Sequence, residues 1–187
     1  DKDLESILDM NISEIFKNLG EGTFRYLEKI YFNEHSLKGE SVYALGGGII
    51  LDGRLYNGPN CGAGEFGMLP YRAKNVEYYC SGQFFLNAGK RGEEFSALAR
   101  DGDPKALMVF KDFGLHMGNA IKVVLYTYDP DLIVLGGSIS KDYDLFCESM
   151  WESIYTFAYR SVIKTLNIKP SETEHSAVLG AAALYLD

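Results

Sequence analysis

Cysteine is scarce in this 187-residue chain: Cys61, Cys80 and Cys147 are the only three, an odd number with no CxxC spacing. That pattern supports neither a disulfide framework nor a thiolate zinc site. Small buried hydrophobes are the ordinary role for such residues, and a reducing, cytoplasmic setting is the expectation. No run of about 18 apolar residues occurs, so no membrane-spanning helix is expected. No basic start leads into an apolar core, so no signal peptide is read. Basic residues number 18 against 26 acidic ones, a formal net charge of −8. A nucleic-acid surface needs a clustered basic face, and this balance argues against one. Internal repeats and low-complexity tracts are also missing. The triple glycine Gly46–Gly48 is not a Walker loop, because no Gly-Lys-Ser/Thr comes after it.

What the chain does have is an apolar share of 47%, enough for the core of one domain or one lobe of a larger protein. Apolar spacing predicts helices over residues 3–34, broken at Gly20 and Gly22. A β-hairpin comes next, from Val42 to Tyr56, turning at Asp52-Gly53, a strong two-residue turn signal. Further helices are expected at Gln83–Ala88 and Glu93–Arg100. A long one starts at Asp103-Pro104 and ends before Asp129-Pro130, with His116 on it as a surface or internally satisfied histidine. Leu132–Leu135 reads as a strand covered on both faces, ended by Gly136-Gly137, with Ser138 able to cap the next element. A helix over Asp144–Tyr159 should bring Trp151 and Phe157 into the core. Leu166–Lys169 reads as a strand and Ser176–Leu186 as a small-residue helix. This order of elements is α/β or α+β with a mixed sheet.

The segment around which the rest is arranged runs from Gly58 to Gly82. Gly58, Gly62, Gly64 and Gly67 fall within ten residues and surround Glu65 with little side-chain bulk. A carboxylate in such a place can accept hydrogen bonds from a polyhydroxylated ligand; an ordinary solvated loop is the competing reading. Gly46–Gly48 inside a strand suits a close visitor such as a phosphate, or else a bulge or a tight helix crossing. Gly136-Gly137, at the carboxyl end of a buried strand, is where α/β sheets place ligands.

Taken together, GGGIILDGRLYNGPNCGAGEFG, then VEYYCSG, YDPDLIVLGGSIS and SAVLGAAALYL, resemble the motifs of the ROK family of sugar kinases and repressors, in family order over Ser41–Asp187. The resemblance implies an actin-like ATPase (ribonuclease H-like) lobe with a mixed sheet and flanking helices. Residues 41–187 would be the C-terminal sugar- and nucleotide-binding lobe, and residues 1–40 a helical segment left from the inter-lobe region. It implies an ATP-dependent hexose kinase, glucokinase-like, using ATP and Mg2+. Glu65, with Asn60 and Gly64 beside it, and Glu77 would bind the sugar. Gly46 and Gly47 would face the phosphates, and Gly136 and Gly137 the adenosine. Asp9, in Leu8-Asp9-Met10-Asn11, partly matches the family's catalytic-base motif. The partners implied are a hexose and a nucleotide, with no nucleic acid or membrane, and a homodimer is expected.

The departures from the family pattern define the alternative. Tyr43 stands where the family's hairpin has a phosphate-bonding threonine, with Ala44 after it, and Met68 stands where a histidine is common. The family's CxCGxxGC zinc motif is absent, so no zinc is expected. The DxGGT motif of the N-terminal lobe is absent too, so this chain by itself is expected to phosphorylate sugar poorly. A non-catalytic sugar-binding paralogue or a transcriptional regulator is therefore the second reading, although residues 1–40 show no basic recognition helix.

Overall fold

Strands β1 (Ile49–Leu51) and β2 (Arg54–Tyr56) pair antiparallel, Ile49 opposite Tyr56 and Leu51 opposite Arg54. That register leaves two residues for the connection, the length expected for an Asp-Gly hairpin. The structure, a computed structural model, describes residues 49–51, 54–56, 58–60 and 62–171. The helices expected over 3–34 and 176–186 lie outside the described residues, as do Asp9, Tyr43, Ala44, Gly46, Gly47 and Cys61. The described part divides into two compact units, residues 49–66 and 67–171.

The second unit opens with a small antiparallel hairpin, β3 (Pro70–Tyr71) and β4 (Lys74–Asn75). Three short helices come next: α1 (Val76–Cys80), α2 (Gly82–Asn87) and α3 (Gly92–Arg100). The long helix α4 (Pro104–Tyr128) then crosses the unit. Its limits are chemical. The Asp103 side chain accepts from the Ala106 N–H at 2.7 Å and Pro104 takes the first turn, where its missing N–H costs nothing. At the other end Asp129 adopts the left-handed conformation (φ 47°), its N–H donates to the Leu125 carbonyl, and Pro130 cannot continue the ladder. Beyond it come β5 (Leu132–Leu135), a 3-10 turn (Ser138–Asp142), α5 (Tyr143–Ile154), α6 (Arg160–Thr165) and β6 (Asn167–Pro170). β5 and β6 pair in parallel, Leu132 opposite Asn167 and Leu135 opposite Pro170, the pairing that a helical crossover permits. Among the described residues the unit is thus mixed helix and strand, with helices in the majority.

The core lies between α4 and α5. Phe85, Phe110, Phe113, Phe146, Met150 and Ile154 are fully buried, and the Phe113 ring meets Phe85 at 5.0 Å and Phe146 at 5.2 Å. The two helices approach closely because both are small at the crossing. Gly114 and Gly118 on α4, one turn apart, face Ser149 and Ser153 on α5, also one turn apart. A Cβ at Gly114 would overlap the Phe146 carbonyl oxygen, and one at Gly118 would lie 2.6 Å from Ser153 Cβ and overlap the Met150 carbonyl oxygen.

Four expectations need correction. The helix expected to reach Tyr159 stops at Ile154: Tyr155, Thr156 and Phe157 N–H groups donate to Trp151, Ser153 and Ile154 carbonyls in a tightening turn. That turn swings Phe157 into the core against Tyr126, ring centroids 4.4 Å apart, while Trp151 is only half-buried. β5 is not covered on both faces, since Val134 is 47% exposed and β6 is its neighbour in the sheet described. Gly137, not Ser138, occupies the cap position of the turn after β5.

Candidate functional site

In the first unit, a glycine-rich loop comes after β2. Gly58 (φ 67°) and Gly64 (φ 87°) take left-handed conformations that other residues adopt only at a cost. A Cβ at Gly58 would stand 3.4 Å from that of Ala63, so the loop folds back on itself there. The Phe66 N–H donates to the Gly64 carbonyl at 2.8 Å, a tight turn with Glu65 at its apex. Glu65 is half-buried, whereas Asn60 is exposed. Asn60 lies on the exposed first part of this loop, and Gly64 and Glu65 on its turn.

In the second unit, Glu77 sits exposed in the first turn of α1. The helix is fixed at both ends. Asn75 accepts from the Tyr78 N–H at 2.9 Å, and Ser81 both closes α1 and caps α2, accepting from the Gln83 N–H at 3.2 Å. The β3–β4 hairpin that leads into α1 turns through Arg72, left-handed at φ 51°. Cys80, at the end of α1, is buried, and burial pushes its thiol up to about 12. It is a packed hydrophobe rather than a nucleophile.

His116 on α4 is buried behind this hairpin at 7% exposure, with the rings of Tyr71, Tyr79 and Phe84 within 6 Å of its own. The Tyr71 hydroxyl lies 3.0 Å from His116 Nδ1, and Asn119 Nδ2 lies 3.1 Å from the same hydroxyl oxygen. Asn119 also donates to the Leu115 carbonyl at 2.9 Å, which fixes the amide with nitrogen toward Tyr71. The amide thus donates to the phenol oxygen, and the same hydroxyl shares a second hydrogen bond with His116 Nδ1, its direction set by the imidazole tautomer. Burial lowers the imidazole pKa, the Arg72 guanidinium acts in the same sense, and Asp112 opposes them. The histidine is satisfied and internal, one of the two roles its place in the sequence allowed.

A pH dependence results. The folded protein holds fewer protons on His116 than the unfolded chain, so the stability this group contributes is present above its ordinary value of 6.5 and is lost as pH falls from there through the lower folded-state value. Urea midpoints measured at pH 7.5 and pH 5.5 should show the loss in the native sequence. His116→Asn, which keeps an acceptor for Tyr71 but does not titrate, should show a smaller one.

Gly136 and Gly137 come directly after β5, both exposed, and Gly137 is left-handed at φ 81°. A Cβ at either would meet nothing within 4 Å, so the backbone here is open. The 3-10 turn behind them is tied down from α3. Ser96 Oγ donates to Asp142, and Arg100 bonds Asp142 at 3.2 Å and both Asp144 oxygens at 3.0 and 3.1 Å. The Arg100 hydrogen bonds hold the Asp144 carboxyl below its usual range. Among the described residues no group of three or more His, Cys, Asp or Glu is placed to hold a metal ion, and no helix is long and apolar enough to cross a membrane.

Comparison with known proteins bears on the whole arrangement. The model of the ROK family matches residues 44–187, about three quarters of the chain. The chain belongs to the ROK family. The match takes in both the Glu65 loop and the Gly136-Gly137 turn of this ROK protein. The N-acetyl-D-glucosamine kinase of Pasteurella multocida is 30% identical over 174 residues, covering 76% of this chain and 56% of the kinase. The DNA-binding transcriptional dual regulator NagC of Escherichia coli is 26% identical over 165 residues, covering 74% of this chain and 41% of the regulator. A ROK family glucokinase from Streptomyces griseus, solved with glucose and AMPPNP, superposes with a TM-score of 0.66 at 19% identity, over 86% of this chain and 66% of that one; the fold is therefore shared. This ROK chain spans about half the length of the curated relatives it matches. A shikimate kinase model matches residues 1–57, most of them outside the described residues.

The hydrogen-bonded group Tyr71, His116 and Asn119 is not legible in the sequence. His116 and Asn119 are three residues apart and so share a helix face, but their partner lies 45 residues before His116, on two-residue strands that no periodicity marks.

Proposed function

We propose that this chain is the C-terminal, actin-like (ribonuclease H-like) lobe of an ATP-dependent hexose kinase, residues 41–187, acting on glucose or an N-acetylated hexosamine. The observation that carries the reading is the 30% identity with an N-acetyl-D-glucosamine kinase over 174 residues. The local geometry of each carboxylate supports it. Glu65, at the apex of an ordered turn, and Glu77, exposed at a capped helix start, are carboxylates that accept hydrogen bonds from sugar hydroxyls. Asn60 and Gly64 complete the sugar loop in this reading. The open backbone of Gly136 and Gly137 suits the adenosine, and Gly46 and Gly47 are assigned to the phosphates by resemblance.

Mg-ATP, when bound, supplies the γ-phosphoryl group. The chain's own residues hold the acceptor sugar, fix which hydroxyl points outward and keep the nucleotide turn in place through Arg100 and Ser96. Asp9 is the base in this proposal, on motif similarity alone. Cytoplasmic residence and a homodimer belong to the same reading.

A sugar-sensing regulator is the second reading, and particular residues favour it: Tyr43 and Ala44 in the phosphate hairpin, Met68 beside the sugar loop at 59% exposure, and the similarity to NagC. Phosphorus NMR separates the two. The complete gene product, incubated with Mg-ATP and each of glucose, mannose, fructose and N-acetylglucosamine, should build a sugar phosphomonoester signal with one of them, whose couplings identify the hydroxyl. Sugar binding without any such signal would favour the regulator.

A further inference from the structure

The Glu65 loop and the Gly136-Gly137 turn each have an evident support, but exposed Glu77 stands on a five-residue helix, too short to hold its own direction. Val76 and Cys80 seat the helix by burial and Ser81 closes it, so what remains to fix the direction of its first turn, where Glu77 stands, is the hairpin before it. Pro70 pairs with Asn75 and Tyr71 with Lys74. Asn75 caps α1, and the Val76 N–H donates to the Leu69 carbonyl at 3.0 Å. Glu77 is therefore two residues from a cap that belongs to the hairpin itself. The hairpin is strained: Arg72 is left-handed without being glycine, a conformation that persists where the surroundings impose it. Two-residue strands supply little of that constraint. The polar fastening on the described residues next to the turn is the Tyr71 hydroxyl, held between His116 Nδ1 at 3.0 Å and Asn119 Nδ2 at 3.1 Å on α4, the longest helix of the unit. The Tyr71 ring adds an edge contact to Tyr79 of α1 at 5.3 Å.

We propose that Tyr71, His116 and Asn119 form a polar pin that holds the β3–β4 hairpin on α4 and so sets the position of Glu77 for the sugar. The three are positioning residues, and the inference rests on the hexose reading above only for its last step. Each partner is committed: Asn119 is oriented by the Leu115 carbonyl, His116 is walled in by Tyr79 and Phe84, and the Tyr71 hydroxyl is bonded to both. Loss of the phenol oxygen leaves the rings in place and frees the turn. Glu77 then samples several directions, and the sugar binds less well with the nucleotide unaffected.

The test is Tyr71→Phe in the complete gene product, with Tyr126→Ala, an exposed ring near the far end of α4, as the control for general destabilisation. Hydrogen–deuterium exchange at the amides of residues 76–80 should quicken about tenfold or more in Tyr71→Phe and stay unchanged in the control. Calorimetric titration with glucose and N-acetylglucosamine should give a Kd weaker by about tenfold, the size of one charged hydrogen bond held out of line, with the KM for Mg-ATP unchanged. Unchanged exchange at 76–80 overturns the pin. Faster exchange with an unchanged sugar Kd overturns the positioning of Glu77. Should the native protein bind neither sugar, the hexose reading falls and the role of Glu77 falls with it, while the exchange measurement still decides the pin. If Tyr71→Phe does not fold, Asn119→Ala, which keeps the Tyr71–His116 bond, gives the same readouts at smaller amplitude.

Discussion

Gly118→Ala lowers the melting temperature of this protein by roughly 10–15 °C, as the expected cost of about 2–3 kcal/mol for overpacking implies in a unit of this size. The sign is the informative part. In the middle of an exposed helix the same change stabilises by about 1 kcal/mol, because alanine is the better helix former. Here the added methyl has no room. It meets the Met150 carbonyl oxygen and Ser153 on α5, and backbone yields less than the end of a flexible side chain. Gly114→Ala meets the Phe146 carbonyl in the same way and should behave alike. Relief requires α4 and α5 to separate, which loosens Phe113, Phe146 and Met150 together. Gly82→Ala is the control: that glycine opens α2 with nothing within 4 Å of a Cβ, and the substitution should leave the melting temperature level or slightly higher. Thermal denaturation of the three variants, monitored by circular dichroism, decides the matter.

Glu65→Ala is expected to reduce kcat/KM for the sugar by about 10²–10³, with the KM for Mg-ATP little changed. One or two charge-assisted hydrogen bonds at about 1.5–3 kcal/mol each give that range. The substitution leaves the left-handed Gly64 turn and its hydrogen bond to Phe66 in place, because both are made by backbone. Steady-state kinetics with sugar and nucleotide varied in turn measure the split. Equal losses for both substrates would instead indicate that the loop, rather than the carboxylate, had been disturbed.

How much of this is readable in the sequence depends on how local the cause is. α4 is legible to the residue, since Asp103, Pro104, Asp129 and Pro130 act within one turn of themselves. The β1–β2 hairpin is legible for the same reason, and so is the glycine-rich setting of Glu65. The features that escape are held by distant partners. α1 and the β3–β4 hairpin are too short to leave a period, though Asn75 and Ser81 are capping residues that could have marked the helix. The meeting of Gly114 and Gly118 with Ser149 and Ser153 joins two spacings of four that each look ordinary alone. The end of α5 is set by Phe157 reaching Tyr126, a tertiary contact that overrides local helix preference. The exposure of Val134 shows the limit of reading a continuous apolar run as buried on both faces.

The measurement that bears most directly on the central claim is sugar-dependent ADP release by the complete gene product, coupled to NADH oxidation, with Mg-ATP and a panel of glucose, mannose, fructose, N-acetylglucosamine and N-acetylgalactosamine. The expected result is turnover with at least one of these sugars, well above the sugar-free rate and lost in Glu65→Ala. No sugar-dependent ADP release from any of them, with calorimetry still recording sugar binding that Glu65→Ala abolishes, would contradict the kinase and identify a sugar-binding member of the family that does not transfer phosphate.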